Sequence, residues 1–426
     1  MMKKMMNLYR RVIVSAIAVM LLLFLVSCSE NAKEERMPPS PSFYAAYQNV
    51  PPDGENLPLH SSVSHQLTEE GIFTGGNLIL FHDFETGERE VFCPLPDCYH
   101  RDERCPASLG ENGSYVLYHD TFYALTKGIT TEFTEGGAWH FTFKRRGPLE
   151  LEWEVLWEHT FSEFAGTNVN ARLGGGYAAI LANEISFNEE TGEEYTSNSQ
   201  LISIHLETDV LRETTLTLDF EKRTSYNLVG VAEGRAVLWR EEFPDGIIPF
   251  PDFAIQNELS EEEAWEPWIA DLRERRFNGI IVVELASHTM LEIKSGSEEK
   301  LSSFTSPTFV YQGVIYIHYD GAIVAYTLEE GATEEIIRVP DIVNWFVYDG
   351  RVFYITNDEE GAARFYYHVL ESGECYQLVN EENKEVMIFS IHGENSEMFI
   401  GLHQGYWKII SKEDFYQERY EEATTP

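Results

Sequence analysis

The segment Val347-Tyr-Asp-Gly-Arg-Val-Phe-Tyr-Ile355 shows how this chain is built. It places β-branched and aromatic residues on both sides of Asp349-Gly350, a polar-Gly pair that favours a tight turn between two strands. The same unit occurs at Leu228–Trp239 and at Val310–Ile317. A strand–turn–strand unit that recurs along the chain predicts an all-β fold.

Degenerate copies of this turn lie at Asp120-Thr121, Gly175-Gly176 and Gly393-Glu394, so that six turns follow one another at intervals of 37 to 79 residues. Repeats of about 40 to 50 residues with several strands each are typical of propeller blades. We therefore predict a β-propeller of six blades, in which the leading strands at 72–83 and 88–93 complete the last blade. If those strands form a blade of their own, the count is seven. A pair of β-sandwiches is the alternative fold.

A second turn has the pattern Glu-Thr/Ser-Gly-Glu, in which Gly supplies the positive φ of a tight hairpin. It occurs at Glu85–Glu88, Glu190–Glu193 and Glu371–Glu374. We interpret these segments as turns that join the outer strands of blades.

The N-terminal segment 1–27 has the pattern of a secretory signal peptide. Four cations and no acid accompany the apolar run Val12–Val26, whose 15 residues are short for a membrane span of about 20. The run ends at Leu25-Val-Ser-Cys28, which resembles the lipobox of bacterial lipoproteins. That resemblance implies that the Cys28 thiol is acylated and becomes the new N-terminus. An uncleaved signal anchor is the alternative.

The rest of the chain divides into a Pro-rich tether at 28–66, the propeller at 67–415 and an acidic C-terminal tail at 416–426. The chain has 31 Lys+Arg against 71 Asp+Glu, a formal charge of −40 and a pI of about 4.6. Because each phosphate contact needs a cation, this balance argues against nucleic-acid binding. Lipid attachment at Cys28 would place the chain on the outer face of the bacterial cytoplasmic membrane.

The most specific chemical pattern is Cys93-x4-Cys98-x-His100-x4-Cys105. Three thiols and one imidazole are the ligands of a tetrahedral Cys3His zinc site, which would be structural because it leaves no open position. The alternative is one or two disulfides, because an exported chain meets an oxidising environment. Once Cys28 is acylated, Cys375 brings the number of remaining cysteines to four, which is even. Free thiols are a third possibility.

An insertion follows the strand that ends near Trp239. It contains an aromatic and proline stretch with Phe250 and Phe253, then a capping box at Ser260–Glu263 that predicts a helix over 258–276. Trp265 and Trp268 share one face of this helix. We predict either that these aromatic residues bind a partner or that they pack on the propeller.

The lipobox, the tether, the repeated turn units and the cysteine cluster together resemble the TolB-like six-bladed propeller lipoproteins of bacterial envelopes. The resemblance covers most of residues 70–415 and implies a binding or scaffolding role at the cell surface. We therefore expect a lipid-anchored propeller that binds an envelope protein, a peptide or a glycan.

The sequence contains no nucleophile elbow, P-loop, dinucleotide fingerprint, zinc-protease helix or EF-hand loop. No catalytic residue is therefore predicted. A propeller enzyme that acts on carbohydrate through carboxylates from separate blades is the alternative function. A metal-binding lipoprotein is another. Acids and basic groups that converge in the central channel would favour the enzyme.

Overall fold

The computed structural model describes much of the chain after residue 56. The described residues are 57–59, 64–95, 98–100, 104–110, 113–129, 138–161, 166–187, 194–243, 247–248, 250–257, 259–275, 277–293, 308–319, 321–327, 333–339, 342–358, 363–378, 389–403, 406–417 and 419–425. The predicted signal peptide, Cys28 and most of the predicted tether lie outside them.

The described strands form seven antiparallel sheets, and in each sheet the strands follow one another in chain order from an inner to an outer edge. Blade 1 consists of β2 (Ser64–Leu67), β3 (Gly71–Gly75), β4 (Leu80–Asp83) and β5 (Arg89–Val91). Blade 2 consists of β6 (Gly113–Tyr118), β7 (Thr121–Ile129), β8 (Trp139–Arg146) and β9 (Glu154–Thr160). Blade 3 consists of β10 (Gly166–Gly174), β11 (Tyr177–Phe187), β12 (Glu194–His205) and β13 (Val210–Thr215), with β1 (Leu57–Leu59) added at its inner edge.

The second half of the chain forms four more blades. Blade 4 consists of β14 (Ser225–Ala232), β15 (Arg235–Glu242), β16 (Phe277–Glu284) and β17 (Thr289–Ile293). Blade 5 consists of β18 (Thr308–Tyr311), β19 (Val314–Tyr319), β20 (Ala322–Thr327) and β21 (Thr333–Arg338). Blade 6 consists of β22 (Ile342–Tyr348), β23 (Arg351–Asn357), β24 (Ala363–Val369) and β25 (Cys375–Leu378). Blade 7 consists of β26 (Phe389–Glu394), β27 (Met398–His403) and β28 (Tyr406–Ser411).

The inner strands of successive blades contact one another around a ring, and β2 of blade 1 meets β26 of blade 7. The chain is therefore a seven-bladed β-propeller. The leading strands form a blade of their own, which is the seven-blade alternative of the sequence analysis. They do not complete the last blade. Blade 7 is instead extended from the C-terminal side, where Thr424 pairs with Ile409 of β28 through two backbone hydrogen bonds of 2.8 and 2.9 Å.

The core of the propeller is divided among the interfaces between blades. Seven of the eight clusters of buried apolar residues in the described chain each contain residues from two neighbouring blades. At the interface of blades 1 and 2, for example, Phe73 meets Phe122 edge to face with ring centroids 5.6 Å apart. Since fully burying a side chain of this size contributes about 1.5–3 kcal/mol, each blade is stabilised mainly by its two neighbours.

The polar-Gly pairs at 175–176, 233–234, 312–313 and 349–350 join the first and second strands of their blades. In blade 6, Asp349 and Gly350 have φ values of 50° and 62°, which is the left-handed conformation of a type I′ turn. The glycine at 175 also serves packing, because a Cβ there would lie 2.4 Å from the backbone nitrogen of Gly234 in the turn of blade 4. Adjacent turns therefore touch backbone to backbone.

Two of the predicted turns are placed differently in the structure. In blade 2 the turn is His119-Asp120, one residue before the predicted pair, and Gly393-Glu394 is the end of β26 rather than a turn. Two of the Glu-Thr/Ser-Gly-Glu segments, Glu85–Glu88 and Glu371–Glu374, do join third and fourth strands. The copy at Glu190–Glu193 lies outside the described residues, in the sequence between β11 and β12. Local turn patterns identify hairpins, but they do not show which strand pair a hairpin joins.

The predicted C-terminal tail packs against blade 7. The short helix α3 (Lys412–Tyr416) places Phe415 in the cluster between blades 6 and 7, and Tyr420 in the following 3-10 turn (Tyr420–Glu422) is also buried. Helices α1 (Phe250–Gln256) and α2 (Glu261–Arg275) form the insertion between β15 and β16. Among the described residues, no helix has the length and apolar character needed to cross a membrane.

The seam between blades 1 and 7 closes the ring with residues from opposite ends of the chain. Its apolar cluster has four buried members, fewer than any other interface of the described structure. Polar contacts supplement it: the Asn395 amide donates to the Thr68 carbonyl at 2.6 Å, and the Ser396 hydroxyl donates to the Glu69 carboxylate at 2.6 Å. His65 also stacks on Trp407, with centroids 4.0 Å apart.

We expect Asn395→Asp to weaken the seam. The variant keeps the Oδ1 atom that accepts from the backbone N–H groups of Glu397 and Met398, but it turns an unprotonated carboxylate towards the Thr68 carbonyl. The free energy of unfolding should fall by about 1–3 kcal/mol, measured by urea denaturation. Asn357→Asp, at the exposed end of β23, is the control for the added negative charge. Equal losses in the two variants would show that the seam does not depend on this bond.

Candidate functional site

The antiparallel topology gives the propeller two distinct faces. The turns that join first to second and third to fourth strands lie at one face, which we call the hairpin face. The connections between second and third strands, and those between blades, lie at the opposite face, which we call the connection face. The loop between β5 and β6 and the insertion between β15 and β16 both open at the connection face.

The loop between β5 and β6 brings together the four predicted ligands Cys93, Cys98, His100 and Cys105, which we call the Cys/His cluster. One ligand atom from each of these residues lies within 4.8 Å of every other. The His100 Nδ1 atom is 3.3 Å from the Cys105 Sγ atom. The four side chains therefore converge on one point of the loop.

The C-terminal half of this loop is held against blades 1 and 2. The Ala107 carbonyl accepts from the Ile79 N–H at 3.0 Å, and the Pro106 carbonyl accepts from the Trp153 indole N–H at 3.1 Å. Cys105 is 2 % exposed and belongs to the apolar cluster between these blades, against which Cys93 and Cys98 also pack. The cluster thus lies at the edge of the core, partly shielded from water.

Burial determines the protonation of these thiols. Burial raises the pKa of the Cys105 thiol to about 12, and it also raises the pKa of the Cys93 thiol. At both thiols a backbone hydrogen bond lowers the pKa, but by less than burial raises it. With no cation in the cluster, both groups are therefore neutral thiols at pH 7. A bound cation would favour the thiolates instead.

Cys375, the fourth cysteine of the predicted exported chain, lies in a different blade from the Cys/His cluster. Cys375 begins β25, the outer strand of blade 6, and is exposed. Its Sγ atom lies 3.1 Å from the Tyr354 hydroxyl of the same blade. Blade 7 separates this position from blade 1, so Cys375 is not available to the loop between β5 and β6.

The insertion has a small core of its own. Phe253, Ala254 and Ala264 are buried where α1 packs on α2, and the half-buried Phe250 and Trp268 pack against them. The predicted capping box is present, since the Glu263 carboxylate accepts from the Ser260 N–H at 3.2 Å and the Ser260 hydroxyl accepts from the Glu263 N–H at 3.4 Å. Helix α1 was not predicted, because its Pro-rich sequence resembles a loop.

The structure brings the four predicted partner-binding aromatic residues into one group. Phe250, Trp265 and Trp268 contact one another with ring centroids 5.3 to 5.6 Å apart. The Trp268 indole N–H donates to the Ile248 carbonyl at 2.9 Å, which fixes the position of this ring. Phe253 is buried, at 8 % exposure. Trp265 is 51 % exposed, so it offers the accessible aromatic surface of this group.

A polar network that the sequence did not reveal connects blades 6 and 7 at the hairpin face. The Asp349 carboxylate accepts from the Lys412 ammonium at 2.8 Å and from the Tyr416 hydroxyl at 2.7 Å. Lys412 also pairs with Glu394 at 3.0 Å, and Glu394 accepts from the Asp349 N–H at 2.9 Å. Burial, followed by the Glu394 charge, raises the pKa of nearby Tyr311 to about 12. Only the Asp349-Gly350 turn carried a sequence signal.

Two further groups meet near the hairpin end of the central channel. Burial lowers the pKa of Arg172 on β10 to about 10, and the nearby Tyr348 on β22 partly offsets this change. Burial also raises the pKa of Tyr348 to about 12, with a further contribution from Glu394. Charged residues therefore do converge here, but Asp349 and Glu394 are already paired with cations or hydroxyl groups of the protein. Their contacts support a role in holding blades together rather than in proton transfer.

We expect Asp349→Asn to destabilise the propeller, because it removes the charge that pairs with Lys412 while keeping a residue that tolerates positive φ. The free energy of unfolding should fall by about 2 kcal/mol, measured by urea denaturation near pH 7. Glu371→Gln, in an exposed outer turn of the same blade, should change it little. If Asp349→Asn behaves like that control, the network contributes nothing to stability.

Comparisons with known proteins bear on the architecture alone. No family model and no curated protein matches the chain. Among solved structures, TolB from Acinetobacter baumannii is 8 % identical, with a TM-score of 0.28 over 68 % of this chain and 77 % of its own. The uncharacterized protein lmo1340 from Listeria monocytogenes EGD-e is 11 % identical, with a TM-score of 0.35 over 68 % and 76 %.

The chain also spans 64 % of the length of Porphyromonas gingivalis dipeptidyl peptidase 4, at 10 % identity and a TM-score of 0.43 over 91 % of this chain. At these values none of the similarities assigns an activity, and no argument below depends on them.

Proposed function

We propose that this protein is a lipid-anchored, extracytoplasmic β-propeller that binds a protein or peptide of the cell envelope through its helical insertion. The observation that carries the proposal is Trp265, a half-exposed tryptophan held in place by Phe250 and Trp268. Rigid aromatic side chains with accessible faces are typical anchors of binding sites, because they contribute a large apolar area at a low cost in conformational entropy.

The chain topology supports this arrangement. Strand β1 is antiparallel to β10, and Leu57 pairs with Leu173 beside the turn at the hairpin face. Leu57 therefore lies at the hairpin face, whereas the insertion leaves from the connection face. Strand β1 and the insertion thus occupy opposite faces of the propeller.

Charge indicates the chemistry of that partner. Glu263 and Glu266 are exposed on α2 beside Trp265, and the whole chain carries −40. A partner with an apolar side chain next to Lys or Arg would pair with this surface, whereas an anionic polymer would be repelled. A peptide or protein segment with such a pattern therefore fits better than an acidic glycan.

The lipid anchor can be tested by metabolic labelling with a fatty-acid analogue in a bacterial host that exports the chain. We expect label on the wild-type protein and none on Cys28→Ala, which should also accumulate as a heavier precursor that retains residues 1–27. Cys375→Ala, which removes an exposed thiol of the propeller, should keep the label. Label that persists in Cys28→Ala would contradict the anchor.

The binding surface can be tested with a photo-crosslinking phenylalanine analogue in intact cells. At position 265 we expect one discrete adduct, and at Tyr376, an exposed aromatic position on the outer strand of blade 6, we expect none. Protease treatment should destroy the added mass if the partner is a protein, and glycosidase treatment should destroy it if the partner is a glycan. No adduct at 265, or the same adducts at both positions, would refute binding through the insertion.

A further inference from the structure

We propose that the Cys/His cluster binds one structural zinc ion that joins blade 1 to blade 2. This proposal is independent of the partner and of the lipid anchor. It rests on the geometry of the four ligand atoms, on the distribution of the cysteines in the folded chain, and on the position of the loop between two blades.

The spacing of the ligand atoms fits a tetrahedral zinc ion. Zn–S bonds of about 2.3 Å and Zn–N bonds of about 2.0–2.1 Å place tetrahedral sulfurs about 3.8 Å apart, and a sulfur and a nitrogen about 3.6 Å apart. The cluster has all four atoms within 4.8 Å of one another, and the His100 Nδ1 and Cys105 Sγ atoms lie 3.3 Å apart. The limit of 4.8 Å exceeds the tetrahedral separation by about 1 Å, so movements of up to about half an ångström by each side chain would bring the four atoms to bonding distance from a common centre.

The folded arrangement disfavours the disulfide alternative. All four described cysteines are free thiols. Cys375 belongs to blade 6, so the loop contains three cysteines, and any disulfide among them would leave one thiol over. Three thiols with one imidazole form instead a complete Cys3His ligand set, which is typical of zinc and leaves no position open for catalysis.

The backbone at His100 is compatible with the same assignment. Its φ is 53°, a left-handed conformation that histidine, asparagine and aspartate adopt more often than other residues with a side chain. With this conformation, a ring nitrogen of His100 lies within 4.8 Å of the thiol of Cys98, which is only two residues earlier in the chain.

The position of the loop indicates what the ion would do. Cys93 follows β5, the outer strand of blade 1, and Cys105 leads towards β6, the inner strand of blade 2. A zinc ion bound to both would fix the crossover from the outside of one blade to the inside of the next. Because metal binding to a preformed set of ligands stabilises the folded state alone, loss of the ion should loosen this junction.

The test is elemental analysis and intact-mass thiol counting on the full chain, exported, extracted in detergent and purified without a chelator. We expect about one zinc per chain with reduced cysteines. The metal should be lost from Cys98→Ser and from His100→Asn, in which asparagine still tolerates the positive φ. His100→Cys replaces the imidazole with a fourth thiol and should retain zinc. Cys375→Ser, which removes a thiol outside the cluster, is the matched control and should also retain it.

A second measurement covers the case in which a variant does not fold. Metal-free wild-type protein should show a lower thermal midpoint than the zinc form, and cobalt in place of zinc should give the visible absorption of tetrahedral thiolate-bound Co²⁺. Absence of metal together with a mass two protons lower would mean a disulfide, and would overturn the proposal. Zinc content that is the same in His100→Asn and the wild type would exclude His100 as a ligand and overturn the Cys3His site.

Discussion

Closure of the ring is the constraint on which the rest of this structure depends. Each blade buries its two faces against neighbouring blades, so an open ring would expose two apolar faces to water. Six of the interfaces join blades that are consecutive in the chain. The seventh joins residues separated by more than 300 positions, such as Thr68 and Asn395, and must overcome the largest loop-closure entropy. It combines a small apolar cluster with hydrogen bonds and the stacking of His65 on Trp407. The C-terminal residues Phe415 and Tyr420 pack instead in the cluster between blades 6 and 7.

The loop between β5 and β6 and the insertion between β15 and β16 are long connections that are ordered by different contacts. A long loop loses conformational entropy when it is ordered, and it needs compensating contacts. The insertion obtains them from a small apolar core between α1 and α2, around Phe253 and Ala264. The loop between β5 and β6 buries Cys105, Ala107 and Leu109 in the cluster between blades 1 and 2, and it also brings three thiols and an imidazole together. In the first case the packing leaves Trp265 half exposed, and in the second a metal ion would add to the packing.

The polar network of Asp349, Glu394 and Lys412 illustrates why charged groups in a channel do not by themselves identify an enzyme. Both carboxylates are already engaged by the Lys412 ammonium of helix α3, and Asp349 also accepts from the Tyr416 hydroxyl. A general acid or base needs a lone pair or a proton available to a substrate. Here those lone pairs hold blades 6 and 7 and helix α3 together, so the charges act as part of the scaffold.

The sequence by itself determined the features that depend on local pattern. The period-two strands, the Asp349-Gly350 type of turn, the capping box at Ser260 and the ligand spacing from Cys93 to Cys105 all follow from residues close together in the chain. Only the tertiary structure decided the blade count, the seam at Asn395, the separation of Cys375 from the other cysteines and the partners of Asp349. These features join residues that are far apart in sequence, and weak blade repeats do not encode which distant side chains meet when the ring closes.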